Sequence, residues 1–448
     1  MADVLASIVA RKRTDVAARL AAIDPAAAVP TQRSLRAALA RPGARFVMEV
    51  KRASPSGHVA RHSLEAAVTA YAPVADAISV LTDAPYFGGS LDDLRAVRAR
   101  FDGPILAKDF VVDPRQVTEA RLHGADAVLA MLSVLDDDTA RAVLAEAARL
   151  NMDVLVEVHD VPEMARARAI GATLIGINNR DLKTLRTDLA VTERLARGVP
   201  TDVVLISESG VASRADTQRL SALVDGFLVG SSLMASDDIA DAARALVHGR
   251  VKICGLTRSE DVAAAGAAGA THAGLIFVAG TPRALELEAA RELADAARTA
   301  GMKPVGVFRD APVATVLATA DALGLAAVQL HGREDAATIA DIRRGFAGEI
   351  WTACAPDEDR GGDRLLFDSG AGGTGVAFDW TSIAAHPRLK DAFLAGGIDA
   401  SNACAAQATG VYGIDVSSRI ESAPGHKDHV LMQALFGALR TPDRKGDR

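Results

Sequence analysis

Ionisable side chains at the ends of apolar runs are the feature of this sequence that could do chemistry. In RFVMEVK, period-2 alternation puts Val47, Glu49 and Lys51 on one face of a strand and Phe46, Met48 and Val50 on the other. A carboxylate and an ammonium thus share a face, where burying either unpaired would be costly. The theme repeats. PILAKDF ends a strand on Lys108, and MDVLVEV turns Leu155 and Glu157 away from Val154, Val156 and Val158. TLIGINNR ends on Asn178, Asn179 and Arg180, and VVLISES carries Glu208 on the inward register. Converging on one rim, these groups support acid–base work on an anionic substrate, because neighbouring charges and partial burial move pKa values towards neutrality. A structural ion pair or a solvated strand end is the alternative for any one of them, and their convergence favours the joint reading.

A second set begins after residue 250. VKICGLTR alternates Val251 and Ile253 outward with Lys252 and Cys254 inward, RLLFDSG ends a strand on Asp368, and GIDVSS adds Asp415. A thiolate facing a carboxylic acid can move a proton between adjacent carbons. The alternative for a lone strand cysteine is a small buried hydrophobe.

The elements that must position these groups are short β-branched runs separated by alanine-rich helical spacing. RFVMEV, DAISVL, PILAKD, DAVLAML, MDVLVEV, TLIGIN, DVVLIS and DGFLVG make eight strand candidates; VKICG, HAGLIFV, KPVGVF, AAVQL, EIWTA, RLLFD, AFLAGG and VYGIDV make eight more. Eight strand–helix units in roughly 200 to 250 residues is the size of a (β/α)8 barrel, so the α/β chain is expected to hold two TIM barrels in tandem, over 1–248 and 249–448. Alternation alone leaves an open doubly wound sheet as the alternative for either half. The stretches SESGVASRADTQRLSALVDGFLVGSS and AGGIDASNACAAQATGVYGIDVSS share a plan: glycine at a strand end, a helix, a strand, then small hydroxyl residues. In barrels the loops after strands seven and eight commonly hold a phosphate on backbone N–H groups, so both halves are expected to bind phosphorylated small molecules.

Bulk properties agree. The 448 residues exceed what one core usually serves, and 49% hydrophobic with 24% charged is a globular composition. A net charge of −7 without a basic tract argues against nucleic acid or an anionic membrane as partner. The three cysteines, Cys254, Cys354 and Cys404, form no CxxC pair, which points to a reducing cytoplasm and to no cysteine zinc site. The N-terminus reads as an amphipathic helix with basic residues inside the apolar spacing, not as a signal peptide.

The motifs EVKRASPSG, LTDAPYFGGS, KDFVVDP, LVEVH, GINNRDL, SESG and GFLVGSSLM resemble, in order, those of indole-3-glycerol phosphate synthases over residues 1–248. The resemblance implies ring closure and decarboxylation of a carboxyphenylamino-deoxyribulose phosphate, without a cofactor or a metal. It makes Lys108 the general acid at a carbonyl or hydroxyl oxygen and Glu157 the partner in dehydration. Glu49 and Lys51 sit at the carboxylated ring, with Lys51 a second acid candidate, and which lysine acts at which step stays open. Asn178, Arg180 and Glu208 position the substrate, and Phe110 either stacks on the aromatic ring or simply packs. Ser54, Ser209, Gly210, Gly230 and Ser231 match the phosphate site.

VKICGLTRSEDV, GLIFVAGTPR, VGVFRD, AVQLHGRED, LLFDSGAGGTGVAFDW, FLAGGID and GIDVSSRIE resemble phosphoribosylanthranilate isomerases over residues 250–437. An Amadori rearrangement is implied, with Asp368 opening the ribose ring as acid and Cys254 taking the C2′ proton. Arg283 matches a substrate-binding arginine, with helix capping or a surface role as its alternative. Gln329 and His331 line the mouth, His331 either orienting substrate or packing. Gly372, Gly373, Gly397, Ser417 and Ser418 match the phosphate site, with Asp415 in support. The isomerase product is the synthase substrate, so the second barrel would feed the first. A monomer is expected, because fused barrels cover one another's exposed surface.

Overall fold

A computed structural model describes residues 4–53, 60–182, 184–368 and 378–440. Contacts divide it into two units within the helix Ile239–His248, one running to Ala243 and the other from Arg244 to Arg440.

In the first unit the strands are β1 Arg45–Val50, β2 Ala77–Leu81, β3 Ile105–Lys108, β4 Ala127–Met131, β5 Asp153–Val158, β6 Leu174–Asn178, β7 Val204–Glu208 and β8 Gly226–Val229. All neighbours are parallel, and β8 closes the ring on β1 with Arg45 opposite Gly226. The inward set Val47, Leu106, Leu129, Leu155, Ile206 and Leu228 fills the lumen with aliphatic side chains. Short polar caps start the crossover helices. Ser90 and Asp93 form a reciprocal capping box on Leu91–Arg98, and Ser213 with Asp216 does the same on Arg214–Leu220.

The second unit contains β9 Arg250–Cys254, β10 His272–Ile276, β11 Lys303–Phe308, β12 Ala327–Leu330, β13 Glu349–Cys354, β14 Arg364–Phe367, β15 Phe393–Leu394 and β16 Gly413–Val416, closed by pairing of β16 with β9. Val251, Ile253 and Leu275 face the outer helices. The lumen differs from the first in kind: Trp351 stacks on Phe393 with ring centroids 4.5 Å apart, and His272 meets both rings edge-on. Burial among these rings, beside Lys303, lowers the His272 pKa well below its ordinary value.

Both halves are therefore closed rings, and the open-sheet alternative falls. Two connections depart from strict strand–helix alternation among the described residues: the one between β14 and β15 has only the 3-10 turns Trp380–Ile383 and Leu389–Asp391, and the other lies one strand earlier. Residues 355–363, between β13 and β14, form turns instead of a helix. Pro356 opens that polar stretch, and Gly361 and Gly362 at its end take φ of +83° and +81°, outside the helical region.

Candidate active sites

In the first barrel Lys108, on the end of β3, is the hub. Its Nζ lies 2.6 Å from Glu208 Oε2 and 3.5 Å from Glu157 Oε2, so strands β3, β5 and β7 meet across the lumen. Burial alone would lower the Lys108 pKa, but the carboxylates of Glu208, Glu157 and Glu49 outweigh it and raise it, keeping the ammonium charged. Burial raises the Glu208 carboxyl to about 7; Lys108 pulls against that rise and Glu157 adds to it. Lys51 Nζ sits 2.9 Å from Glu49 Oε1 and donates to Ser231 Oγ at 2.8 Å. Burial would raise Glu49, but Lys51, Lys108 and Arg180 outweigh it and hold the carboxyl below its usual range.

Two glycines make room for these carboxylates. A Cβ at Gly176 would overlap Glu208 Oε1, and one at Gly230 would come within 2.7 Å of Glu49 Oε1. The loop after β7 holds Ser209 and Gly210 at φ +63° and +85°, so consecutive residues turn in the left-handed region. Gly230 and Ser231 lead into the short helix Ser231–Met234. Above the hub opens a cavity of about 450 Å³. Its wall includes Glu49, Lys51, Lys108, Phe110, Glu157, Asn178, Arg180, Ser209, Gly210, Gly230 and Ser231. Phe110 also packs against Phe87, centroids 6.2 Å apart. Glu208, expected to position substrate, lies behind Lys108 instead of in the wall and is fully buried. The reason is register: Glu208 pairs with Asn178 across β6 and β7, and from there its carboxylate reaches inward to Lys108. Ser54 lies outside the described residues.

Sequence reasoning placed Asn179 at a strand end without a role of its own, and it missed Lys12. Asn179 Nδ2 donates to Ser207 Oγ at 2.9 Å and to the Glu208 and Ser209 carbonyls at 3.0 Å, tying the end of β6 to β7. Lys12, on the N-terminal helix Val4–Leu20, lies 2.6 Å from both Asp83 Oδ1 and Asp109 Oδ1, while Leu5 and Ile8 of that helix enter the cavity wall. Its signal was a basic residue inside apolar helical spacing.

In the second barrel Cys254, Arg283, Gln329, His331, Asp368, Gly397, Asp415, Ser417 and Ser418 surround a cavity of about 140 Å³. Cys254 ends β9, and burial raises its thiol pKa while Lys252 pulls it back. Lys252 is fully buried, its Nζ 2.8 Å from Asp415 Oδ2. Asp368 follows β14; His331 Nε2 stands 3.4 Å from its Oδ2, and Gln329 Nε2 contacts His331 Nδ1 at 3.1 Å. Arg283 makes a two-pronged bond to Glu421, Nε to Oε1 at 2.9 Å and Nη2 to Oε2 at 2.6 Å, and Lys427 Nζ joins Glu421 at 2.7 Å. Glu421 and Lys427 come from the hairpin Glu421–Ala423 with His426–Lys427, which spacing did not reveal. Gly397, at φ +63°, turns the loop after β15 into the cavity, and Ser417 Oγ donates to the Cys254 carbonyl at 3.1 Å. Gly372 and Gly373 lie outside the described residues.

The indole-3-glycerol phosphate synthase family model matches residues 5–246, and that of N-(5'phosphoribosyl)anthranilate (PRA) isomerase matches residues 251–438. The tryptophan biosynthesis protein TrpCF of Salmonella typhi is 44% identical over 98% of this chain and 100% of its own length. The chain belongs to the TrpCF family. The Yersinia pestis TrpCF is 45% identical over 88% of this chain and 84% of that protein. The crystal structure of phosphoribosyl anthranilate isomerase from Thermus thermophilus is 34% identical, covers 42% of this chain and 98% of that one, and has a TM-score of 0.39. As a TrpCF member the chain is a bifunctional enzyme of tryptophan biosynthesis, with the synthase in the N-terminal barrel and the isomerase in the C-terminal barrel.

Proposed function

We propose that each barrel works through one acid–base pair at its rim: Cys254 with Asp368 in the isomerase, Lys108 with Glu157 in the synthase. In phosphoribosylanthranilate, Asp368 donates its proton to the ribose ring oxygen as the anilino nitrogen's lone pair forms a Schiff base at C1′. Cys254, as thiolate, removes the C2′ proton, and the resulting enolamine tautomerises to the ketone. Arg283, aimed by Glu421, holds substrate; Gln329 and His331 border the reacting carbons; Gly372, Gly373, Gly397, Ser417 and Ser418 take the phosphate, and Asp415 keeps Lys252 in place below them.

The ketone then enters the first barrel. Lys108 donates a proton to the carbonyl oxygen as a ring carbon attacks it, and carbon dioxide leaves to restore aromaticity. In the dehydration that completes the indole a lysine ammonium, Lys108 or Lys51, protonates the departing hydroxyl, which leaves as water, while Glu157 takes the proton of the adjacent carbon. Glu49 and Lys51 contact the carboxylated ring, Phe110 flanks it, and Asn178 and Arg180 orient the sugar chain. Glu208 acts through Lys108, and Ser54, Ser209, Gly210, Gly230 and Ser231 take the phosphate. The observation that carries this reading is the placement of Lys108 and Glu157 in one cavity and of Cys254 and Asp368 in another.

The chain is proposed to act as a monomer in a reducing cytoplasm, on small phosphorylated substrates alone. Its three cysteines are free, and no helix among the described residues is long and apolar enough to cross a membrane. The test supplies phosphoribosylanthranilate alone and follows indole absorbance. The whole chain should produce it, Cys254→Ala should abolish it until the ketone is supplied, and Lys108→Ala should abolish it even then, each loss exceeding about 10²-fold. Full indole synthesis by Lys108→Ala from the ketone would remove Lys108 from the mechanism.

A further inference from the structure

We propose that His159, backed by Glu163, is a positioning residue for Glu157 that works as an imidazolium clamped between two carboxylates. This inference rests on the dehydration role given to Glu157 above. Glu157 ends its two oxygens in different company: Oε2 faces Lys108 at 3.5 Å, and Oε1 faces His159 Nε2 at 3.3 Å. Both Oε1 and Nε2 are sealed from solvent and neither makes a hydrogen bond, so this 3.3 Å ion-pair approach is the nearest compensation the structure gives either atom. On the far side of the ring, His159 Nδ1 lies 3.1 Å from Glu163 Oε2.

Glu163 is itself held. The same Oε2 accepts the backbone N–H of His159 at 2.8 Å, and the residue sits in the first turn of the helix Val161–Ala169, whose N-cap Asp160 accepts the Glu163 N–H at 2.8 Å. A neutral imidazole donates from one nitrogen only; carboxylate oxygens at both ring nitrogens call for a hydrogen on each. Burial lowers the ring's pKa, but Glu163, Glu157 and the more distant Glu208 outweigh it and raise it. The groups facing this assembly are thus Glu157 on β5, Glu163 on the following helix, Glu208 on β7, and Lys108 beyond Glu157 on β3. Neither His159 nor Glu163 lines the cavity, so their effect on substrate passes through Glu157.

The consequence is a carboxylate fixed from behind, with its Oε2 presented to Lys108 and to the reacting carbon. A proton that Glu157 takes during dehydration stays on Oε2 until it is released to solvent; His159 keeps both of its own.

The experiment uses the full chain with the ketone supplied directly, and isomerase turnover of the same preparation as a check on protein quality. Glu163→Gln keeps an acceptor for the His159 backbone N–H and removes only the charge. Its synthase kcat should fall about tenfold at pH 8.5 with KM within about twofold, less than the loss of a group that handles the proton directly. Its alkaline limb should move to lower pH, and the ring signals of His159 in NMR should titrate at lower pH than in the parent chain. His159→Gln should lose the alkaline limb. If Glu157→Gln abolishes turnover while Glu163→Gln leaves both the limb and the His159 titration where they were, the clamp is refuted and the role of Glu157 survives. If Glu157→Gln turns over normally, the role of Glu157 falls, and the clamp with it.

Discussion

The two barrels share a ring of eight strands and differ in what stands behind the carboxylate at the rim. In the first, Glu157 has an imidazole behind it that is backed in turn by a carboxylate, Glu163. In the second, Asp368 also has an imidazole beside it, His331, but the group behind that ring is the Gln329 amide. His331 thus stands between a carboxylate and an amide, where His159 stands between two carboxylates. The proposed chemistry uses the rim carboxylate as a base in the first barrel and as an acid in the second. The lumens differ to match. Aliphatic layers below Lys108 leave about 450 Å³ open above it, whereas the Trp351–Phe393 stack underlies a cavity of about 140 Å³. The proposal thus ties each reaction to the group behind its rim carboxylate and makes the two sites separable.

The largest test of that separation changes one hydrogen in each lumen. Gly176→Ala places a methyl on Glu208 Oε1, and Gly274→Ala places one 2.9 Å from Cys254 Sγ and 3.0 Å from Lys252 Cε. Displacing a reacting group by about 1 Å costs on the order of 10²-fold. Gly176→Ala should therefore lower synthase kcat by about that factor and spare isomerase turnover, and Gly274→Ala should do the reverse. Overpacking should also cost each barrel about 1–3 kcal/mol, read as a lower denaturant midpoint. Equal losses of both activities in either variant would show that the sites do not stand independently.

The alternation of side chains made much of this legible. Glu49, Glu157, Lys252 and Cys254 could be placed on the lumen face because a strand's register fixes which side each residue occupies. Counting strands gave closure for the same local reason. What spacing does not carry is the neighbour across the ring. Glu208 was seen to point inward, yet its place behind Lys108 depends on two strands 100 residues apart meeting at one height. Lys12 with Asp109, and Arg283 with Glu421, are contacts of the same kind, as long-range as the fold itself. His159 and Glu163 were different: their four-residue spacing across a strand end and a first helical turn was there to be read. The helix missing between β13 and β14 follows from proline and paired glycines, and strand counting passed over it.

A smaller effect is expected at Arg283. Its guanidinium fork fits both oxygens of Glu421, and a lysine offers a point charge in place of the fork. Arg283→Lys should raise the isomerase KM about tenfold with kcat nearly kept, since a misaimed cation weakens ground-state and transition-state binding alike. Initial rates of phosphoribosylanthranilate consumption measure this. Glu421→Gln should reproduce the shift, because the fork then loses its charged anchor. A normal KM in both variants would mean that Arg283 is held for the fold and not for substrate.

The smallest effect sharpens the contrast through pH. Burial puts the Glu208 carboxyl at about 7, so it is a carboxylate above that pH and takes a proton as pH falls through it. Protonation gives up the 2.6 Å ion pair through which Glu208 holds the Lys108 ammonium in position. Synthase kcat should accordingly show an acid limb near pH 7, worth a few-fold between pH 8 and pH 6, a modest factor because Lys108 keeps its charge throughout. Glu208→Gln should flatten that limb while lowering the plateau. The isomerase profile of the same variant should not move, since its base is the Cys254 thiolate of the other barrel, whose thiol is raised by burial and which loses activity as pH falls below its own titration. An acid limb that persists in Glu208→Gln would assign the titration to another carboxyl of the hub. The contrast between the barrels would then rest on Glu157 and its imidazole alone.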